Sequence, residues 1–481
     1  MSAFWGMDPV QLRSHAGRLD AASADVERLA SRLADAVHAA SWTGPDAEQL
    51  RTGWTQLSAQ RIETMRTELL ALGDEARHEA DQQDAASRAE TGPAVPEPLS
   101  SPLAEVSDPA PKGLPAPRPW LPGPLAQFQR DAEHLGGILE EWATGERVPT
   151  IAEVVAASLV TAGSAGVGVY ESVTGEDTAL LDDRPGGVVD SVHTDPTPAQ
   201  GPRTLQDLVV RNDALRMDNP TGATLAAGQI GIQEVHRSSG AEPAYIVQVP
   251  PTEGAGVFDV PGSYGGQGNS RGWGSNLRLV AGQHPAAMDD VRAAMEAAGV
   301  PPGAEVLIVG HSQGGIIANH LAADPTFNSP SGAAGTYDVT HTFAIGAPVQ
   351  TVVPAQATTL SVNAHHGAGI SADGVSGDLI AGLDLGGAQV DGGTLESPNR
   401  LEVPLPGYPV PSLHPLRVLE ANHDSMGADG RADAGYSGSI DRAVSTDPTL
   451  SALQEELTGS YLGEGTQVAS SHVVTVGRGE A

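Results

Sequence analysis

The sequence predicts an α/β domain, with a mostly parallel sheet and helices on both faces, preceded by an all-α region built on a helical hairpin. Three observations predict it. From about residue 204, short apolar runs alternate with helix-length amphipathic stretches. One such run, Val306 to Val309, passes through Gly310-His311-Ser312-Gln313-Gly314 directly into a helical pattern. The first 90 residues instead repeat apolar positions at alternating spacings of three and four, with one break.

In the N-terminal region, Asp8-Pro9-Val10-Gln11 is a helix start: Asp8 caps, Pro9 takes the first turn and Gln11 reaches back. Leu19, Ala22, Val26, Leu29, Leu33 and Ala36 then form one stripe. Ser41-Trp42-Thr43-Gly44-Pro45 breaks it, and a second amphipathic helix starts near Asp46 and runs past Leu69. Residues 1–90 therefore read as a helical hairpin. Residues 91–124 hold 11 prolines and read as an extended, semi-rigid linker. Residues 125–203 are expected to be helical to about Tyr170, able to pack on the hairpin, and irregular over the Asp/Gly/Pro-rich part from 173. The apolar stretch 154–169 is short for a bilayer crossing and reads as a packed helix.

Residues 204–481 carry the α/β pattern. Thr204 to Leu215 is expected to be a helix. Ile230 to Val235 and Tyr245 to Val249 read as two strands around a polar turn at Ser238 to Glu242. A Gly-rich loop, Gly262 to Gly274, suits a mobile flap in which Trp273 could line an apolar pocket. Residues 284–298 read as a helix, and His341 to Ile345, Thr359 to Val362 and Leu401 to Val403 as further strands.

The pattern around Ser312 is a nucleophile elbow: strand, G-x-S-x-G, helix. Such a turn lifts a serine Oγ above the sheet, and its strained backbone needs small neighbours, here Gly310, Gly314 and Gly315. On such elbows an acid and then a histidine follow in chain order. Beyond the strand at 359–362, Asp378 and Asp384 are the natural acids, with Asp373 a third; Asp378 ranks first. Among the later histidines, His423 in Ala-Asn-His-Asp-Ser has the character of a loop-borne base, ahead of His414 in a Pro-rich loop and His472 in an apolar segment. His311 and His320 flank the elbow and read as structural. The chemistry this set allows is acyl transfer: His423 takes the Ser312 proton as Oγ attacks an ester carbonyl, and the carboxylate holds the imidazole. The oxyanion needs two N–H donors, for which Gln313, after the nucleophile, and Thr252, in the loop after Val249, are the candidates.

The front of the chain resembles the WXG family of small helical-hairpin proteins exported by type VII secretion systems. The resemblance rests on Trp42-Thr43-Gly44 in the turn and on helices of matching length over about residues 1–88. The family's Tyr-x-x-x-Asp/Glu signal after the second helix is absent, the first tyrosine being Tyr170. Residues 230–430 resemble lipase/esterase-like α/β hydrolases that follow a WXG-type region in actinobacteria. The matching pieces are Ile246 to Pro250, Asn276 to Gly282, Ala298 to Gly303, Gly310 to Gly315, Gly346-Ala347-Pro348 and His423-Asp424. The resemblance implies the α/β hydrolase fold, a serine hydrolase acting on esters or lipids, a WXG-type helical partner or secretion machinery, and a secreted or cell-envelope location, with a cytoplasmic one still open. Where the family has Pro-Gly-Thr this chain has Pro250-Pro251-Thr252, and its acid loop, His365 to Gly377, carries extra residues. The first departure supports an alternative: a catalytically inactive hydrolase-fold binding or effector protein.

Composition narrows the field. With 26 basic and 60 acidic residues the net charge is −34, which repels nucleic acid and anionic membranes. There is no cysteine, hence no disulfide or thiolate metal site. Neither a metal-binding motif nor a phosphate-cradling G-x-x-x-x-G-K occurs, so no cofactor and no metal are expected. The Met-Ser-Ala-Phe-Trp-Gly start lacks the basic-then-apolar pattern of a secretory signal peptide, and no transmembrane segment is expected.

Overall fold

The computed structural model describes residues 123–174, 181–217, 228–252, 270–371, 373–411, 415–427 and 435–478, together with positions 13, 67, 70, 74, 77, 78 and 81. The chain divides into two compact units, Met1–Ala116 and Pro117–Ala481. In the first, the few described positions are helical, and Arg13 pairs with Asp81 at 2.7 Å. The Trp42-Thr43-Gly44 turn and the proline-rich stretch before residue 123 lie outside the described residues.

The second unit is α/β, with a mixed, mostly parallel sheet. Its strands are β1 (Val188–Asp195), β2 (Ala199–Gln200), β3 (Gln229–Arg237), β4 (Ala244–Val249), β5 (Glu305–His311), β6 (Asp338–Ile345), β7 (Leu360–His366), β10 (Arg400–Leu405) and β11 (Thr466–Gly477). A separate small hairpin is made by β8 (Gly369–Ser371) and β9 (Gly374–Ser376). The order across the sheet is β1-β11-β3-β4-β5-β6-β7-β10. From β4 to β10 every pairing is parallel, whereas β3, β11 and β1 run antiparallel to their neighbours.

The alternation of side chains in the central strands explains the two-sided burial. Val306 and Ile308 of β5 face one core, with Val247 of β4 and Ile316, Ile317 and Leu321 of the following helix. Leu307 and Val309 face the other, with Ile246, Phe343, Leu208, Tyr436 and Leu450. A strand buried on both faces reads as a near-continuous apolar run, which is why Val306 to Val309 of β5 stand uninterrupted. Each such side chain stabilises the fold by ~1.5–3 kcal/mol on burial.

The helices are α1 (Gly123–Thr144), α2 (Ile151–Thr174), α3 (Leu205–Met217), α4 (Trp273–Val280), α5 (Ala286–Ala297), α6 (Gln313–Ala323), α7 (Pro415–Leu419), α8 (Gly435–Val444) and α9 (Pro448–Leu457). The 125–203 segment belongs to the α/β unit. α2 packs on α1 and α4, and Arg278 of α4 forms a fully buried ion pair with Asp131 of α1 at 2.6 Å. By length and composition Ile151–Gly168 could cross a membrane; in this fold it lies against those two helices. Ile151 N–H also donates to Ala388 O (2.8 Å), tying the start of α2 to the segment that follows Asp378.

Two sequence expectations are corrected. The stretch from 173 is not irregular throughout, because 188–195 forms β1. Its side chains are mostly exposed, so it shows no apolar run; backbone pairing to β11 defines it. β11 itself, absent from the expected strands, lies between β1 and β3.

Candidate active site

Ser312 sits between β5 and α6 with φ 53° and ψ −122°, a conformation most L-residues avoid. Three bonds lock it. Its N–H donates to Ile345 O (2.9 Å), and its carbonyl accepts from Gly315 N–H (2.9 Å) and Ile316 N–H (3.1 Å). The flanking glycines are obligatory by contact. A Cβ on Gly310 would lie 2.1 Å from the Gly314 carbonyl carbon, and one on Gly314 would lie 2.0 Å from Val249 O. This is the strained strand–turn–helix geometry expected from the motif.

Asp378 is brought in from the end of β7. Between β7 and Asp378 the chain folds back as the β8–β9 hairpin, so that Asp378 N–H returns to His366 O at 2.8 Å. Its Oδ1 accepts from the N–H groups of Ile380 (2.9 Å) and Ala381 (3.2 Å). Burial alone would push this carboxyl up, but the His423 and Tyr436 hydrogen bonds and the His423 charge outweigh it and hold it below the usual carboxylate range.

His423 lies not in an open loop but in a π-helical turn, Glu420–Asp424, which continues α7. Asn422 is fully buried and pins that turn. It donates to Tyr408 O (3.0 Å) and Val418 O (3.1 Å) and accepts from Tyr408 N–H (2.7 Å). His311 Nε2 donates to the carbonyl of His423 at 3.1 Å, and the two rings are 4.9 Å apart. The structural reading of His311 thus has a specific content: it holds the backbone of the candidate base.

These elements bring Ser312, His423 and Asp378 together. His423 Nδ1 donates to Asp378 Oδ2 at 2.8 Å, and His423 Nε2 lies 3.0 Å from Ser312 Oγ. A carboxylate only accepts, so Nδ1 carries the proton and Nε2 is left to receive one from the hydroxyl. All three residues are buried, Ser312 retaining 7% of its surface.

The other candidates fall elsewhere. Asp384 is fully buried and accepts from Gln350 N–H (2.6 Å) and Gly386 N–H (3.1 Å), shaping a turn and not touching His423. Burial pushes its carboxyl up to about 6. Asp373 lies in the exposed β8–β9 turn, and His414 lies outside the described residues. His472 bonds Thr194 across β11 and β1 at 3.0 Å. His320, pushed down to about 4 by burial, lines a cavity of about 440 Å³ with His134, Glu141, Arg147, Glu153 and Val353, and Ser312 is not part of its wall.

For an oxyanion, Gln313 opens α6, so its N–H belongs to the first turn, where no intrahelical acceptor exists. Its side chain donates to Gly272 O at 3.1 Å. The chain after β4 runs against the elbow: a Cβ on Gly314 would also lie 2.7 Å from Pro250 O. Thr252 follows, its Oγ1 accepting from Asn276 Nδ2 at 3.0 Å. Most of the Gly-rich flap lies outside the described residues, while Trp273, the first residue of α4, is 36% exposed. Among the described residues no group of three or more His, Asp or Glu is placed to hold a metal ion.

Sequence reasoning missed two residues. Tyr436 donates its hydroxyl to Asp378 Oδ2 at 2.5 Å, accepts from His366 N–H at 3.2 Å and stacks on the His366 ring at 4.0 Å. Asn212 of α3 donates to Val249 O (3.1 Å) and Val309 O (3.3 Å), joining the ends of the two strands beside the elbow. Neither lies in a motif; a lone Tyr and a lone Asn carry no local signal.

Comparison with protein-family models, with curated proteins and with solved structures gives no match.

Proposed function

We propose that this chain is a serine hydrolase of α/β hydrolase fold that cleaves carboxylic esters or lipids through an acyl-enzyme. The single observation that supports this is the hydroxyl–imidazole–carboxylate line: Ser312 Oγ 3.0 Å from His423 Nε2, and His423 Nδ1 2.8 Å from Asp378 Oδ2. In this reading Oγ attacks the ester carbonyl as its proton passes to Nε2. The tetrahedral oxyanion is held by the Gln313 N–H and a second donor from the Thr252 segment. Collapse expels the alcohol, which takes the proton back from the imidazolium. Water then repeats the sequence on the acyl-serine, releasing the acid and restoring the hydroxyl. Asp378 keeps Nδ1 protonated throughout and stabilises the transient positive charge. The N-terminal Trp42-Thr43-Gly44 sequence motif supports delivery to the envelope or exterior by a type VII-related route.

The test is Ser312→Ala together with fluorophosphonate labelling. The intact chain is expected to be labelled on Ser312 and to hydrolyse p-nitrophenyl esters, and the variant to lose labelling and ~10⁶-fold in kcat. An unlabelled, inactive wild-type protein would leave the hydrolase-fold binding role in its place.

A further inference from the structure

We propose that Tyr436 is a positioning residue for the reaction, its hydroxyl donating to the same carboxylate oxygen that receives the His423 proton and so fixing how Asp378 faces the imidazole. The inference rests on the serine hydrolase reading above and adds a fourth side chain to it.

Four observations carry it. Tyr436 OH and His423 Nδ1 both end on Asp378 Oδ2, at 2.5 and 2.8 Å, while Oδ1 is held by two backbone N–H groups. Every lone-pair direction of the carboxylate is thereby engaged, and it has no freedom to rotate away from the ring. The phenol is in turn fixed from the other side. It accepts from His366 N–H, and its ring lies nearly parallel to the His366 imidazole, 13° between planes. That imidazole donates to the carbonyl of Asn422, the residue preceding His423. Tyr436 thus closes a circuit through His366 and Asn422 back to the base. Finally, Gly346 leaves the space the phenol uses: a Cβ there would lie 2.9 Å from Tyr436 OH.

The hydroxyl does more than pack. A donor on Oδ2 draws negative charge from the oxygen that faces Nδ1–H, and hydrogen bonds to charged groups are roughly twice as strong as neutral ones. Burial and the adjacent carboxylate raise the phenol well above its ordinary value, so it remains a donor across the working range. With the hydroxyl removed, Asp378 presents more charge to the ring and holds the imidazolium more tightly.

Two variants test this in opposite directions. Tyr436→Phe keeps the ring on His366 and removes the donor. It is expected to lower kcat about tenfold, with KM within about twofold, and to move the acid limb of the kcat/KM profile to higher pH. A ring-fluorinated tyrosine at 436 exchanges one ring hydrogen for fluorine and strengthens the donor, and should move that limb to lower pH. It also serves if the Phe variant does not fold. Opposite displacements support the proposal. Limbs that stay put in both, or move together, overturn it. Loss of turnover in Ser312→Ala, measured alongside, shows that the reaction is the serine-dependent one; turnover surviving that change would sink the underlying reading instead.

Discussion

Gly346 stands against Asp378 so closely that a Cβ on the glycine would lie 2.6 Å from Oδ2. The glycine has φ +59°, at the turn where β6 ends, and its N–H donates to Ala364 O of β7 at 2.9 Å. The carboxylate therefore occupies volume that any other residue at 346 would claim.

Gly346→Ala is accordingly expected to act on fold and site together. Positive φ and the collision with Asp378 and Tyr436 should cost about 2–4 kcal/mol, and kcat should fall because the carboxylate is displaced. Gly136→Ala is the control: it lies in α1 with nothing within 4 Å of the added carbon, and should stabilise by about 0.5–1 kcal/mol. Thermal melting of the two proteins decides the matter; equal melting temperatures would refute the steric account.

Asp378 and Asp384 are six residues apart, both buried, and separable by kinetics. Asp378→Asn removes the partner that fixes the imidazole tautomer and should lower kcat by roughly 10⁴-fold. Asp384→Asn alters a turn away from His423 and should leave kcat near the wild-type value. Steady-state rates with a soluble ester measure both. A larger loss in the Asp384 variant would transfer the role of the acid to that residue.

Asp384 also makes stability depend on pH in a direction unusual for a carboxylate. Its folded value, pushed up to about 6 by burial, exceeds the ordinary 3.8. Between those limits the native state keeps a proton that the unfolded chain releases, so stability falls as pH rises through the window. The total is on the order of 3 kcal/mol. Asp378, held below its ordinary value, works the other way and at lower pH: its contribution is present above 3.8 and fades as pH falls toward its depressed value. Urea denaturation from pH 4 to pH 7 should show wild type losing stability relative to Asp384→Asn, with other groups cancelling in the difference. Parallel curves would contradict it.

The parts of this molecule that were legible in the sequence are those whose signal is local. A strand buried on both faces reads as a near-continuous apolar run, as Val306 to Val309 of β5 does, and as β4 does apart from the buried Gln248; an elbow needs small residues at fixed offsets, and Gly310, Gly314 and Gly315 supply them. His423 and Asp378, which the fold brings to Ser312, can be singled out because chain order narrows the candidates. β1 escaped because its side chains are largely in water and only its backbone pairs. α9 carries a local signal as well: Asp447 accepts from Thr449 and Leu450 N–H, and Pro448 opens the helix, a standard start signal. Tyr436 and Asn212 could not be read at all, since their importance comes from what the fold places beside them.

β11 has a consequence for how the sheet is assembled. It is the bridge by which β1, some 280 positions earlier, joins the rest: Thr194 faces His472 on one side of it, and Ile232 faces His472 on the other. A chain emerging from the ribosome can form β3 to β10 long before that bridge exists. Until then β3 has an open flank and β1, though it can lie on α5, has no strand to pair with, so the nascent protein carries an unsealed seam, and a chaperone or a stray strand has its opportunity there.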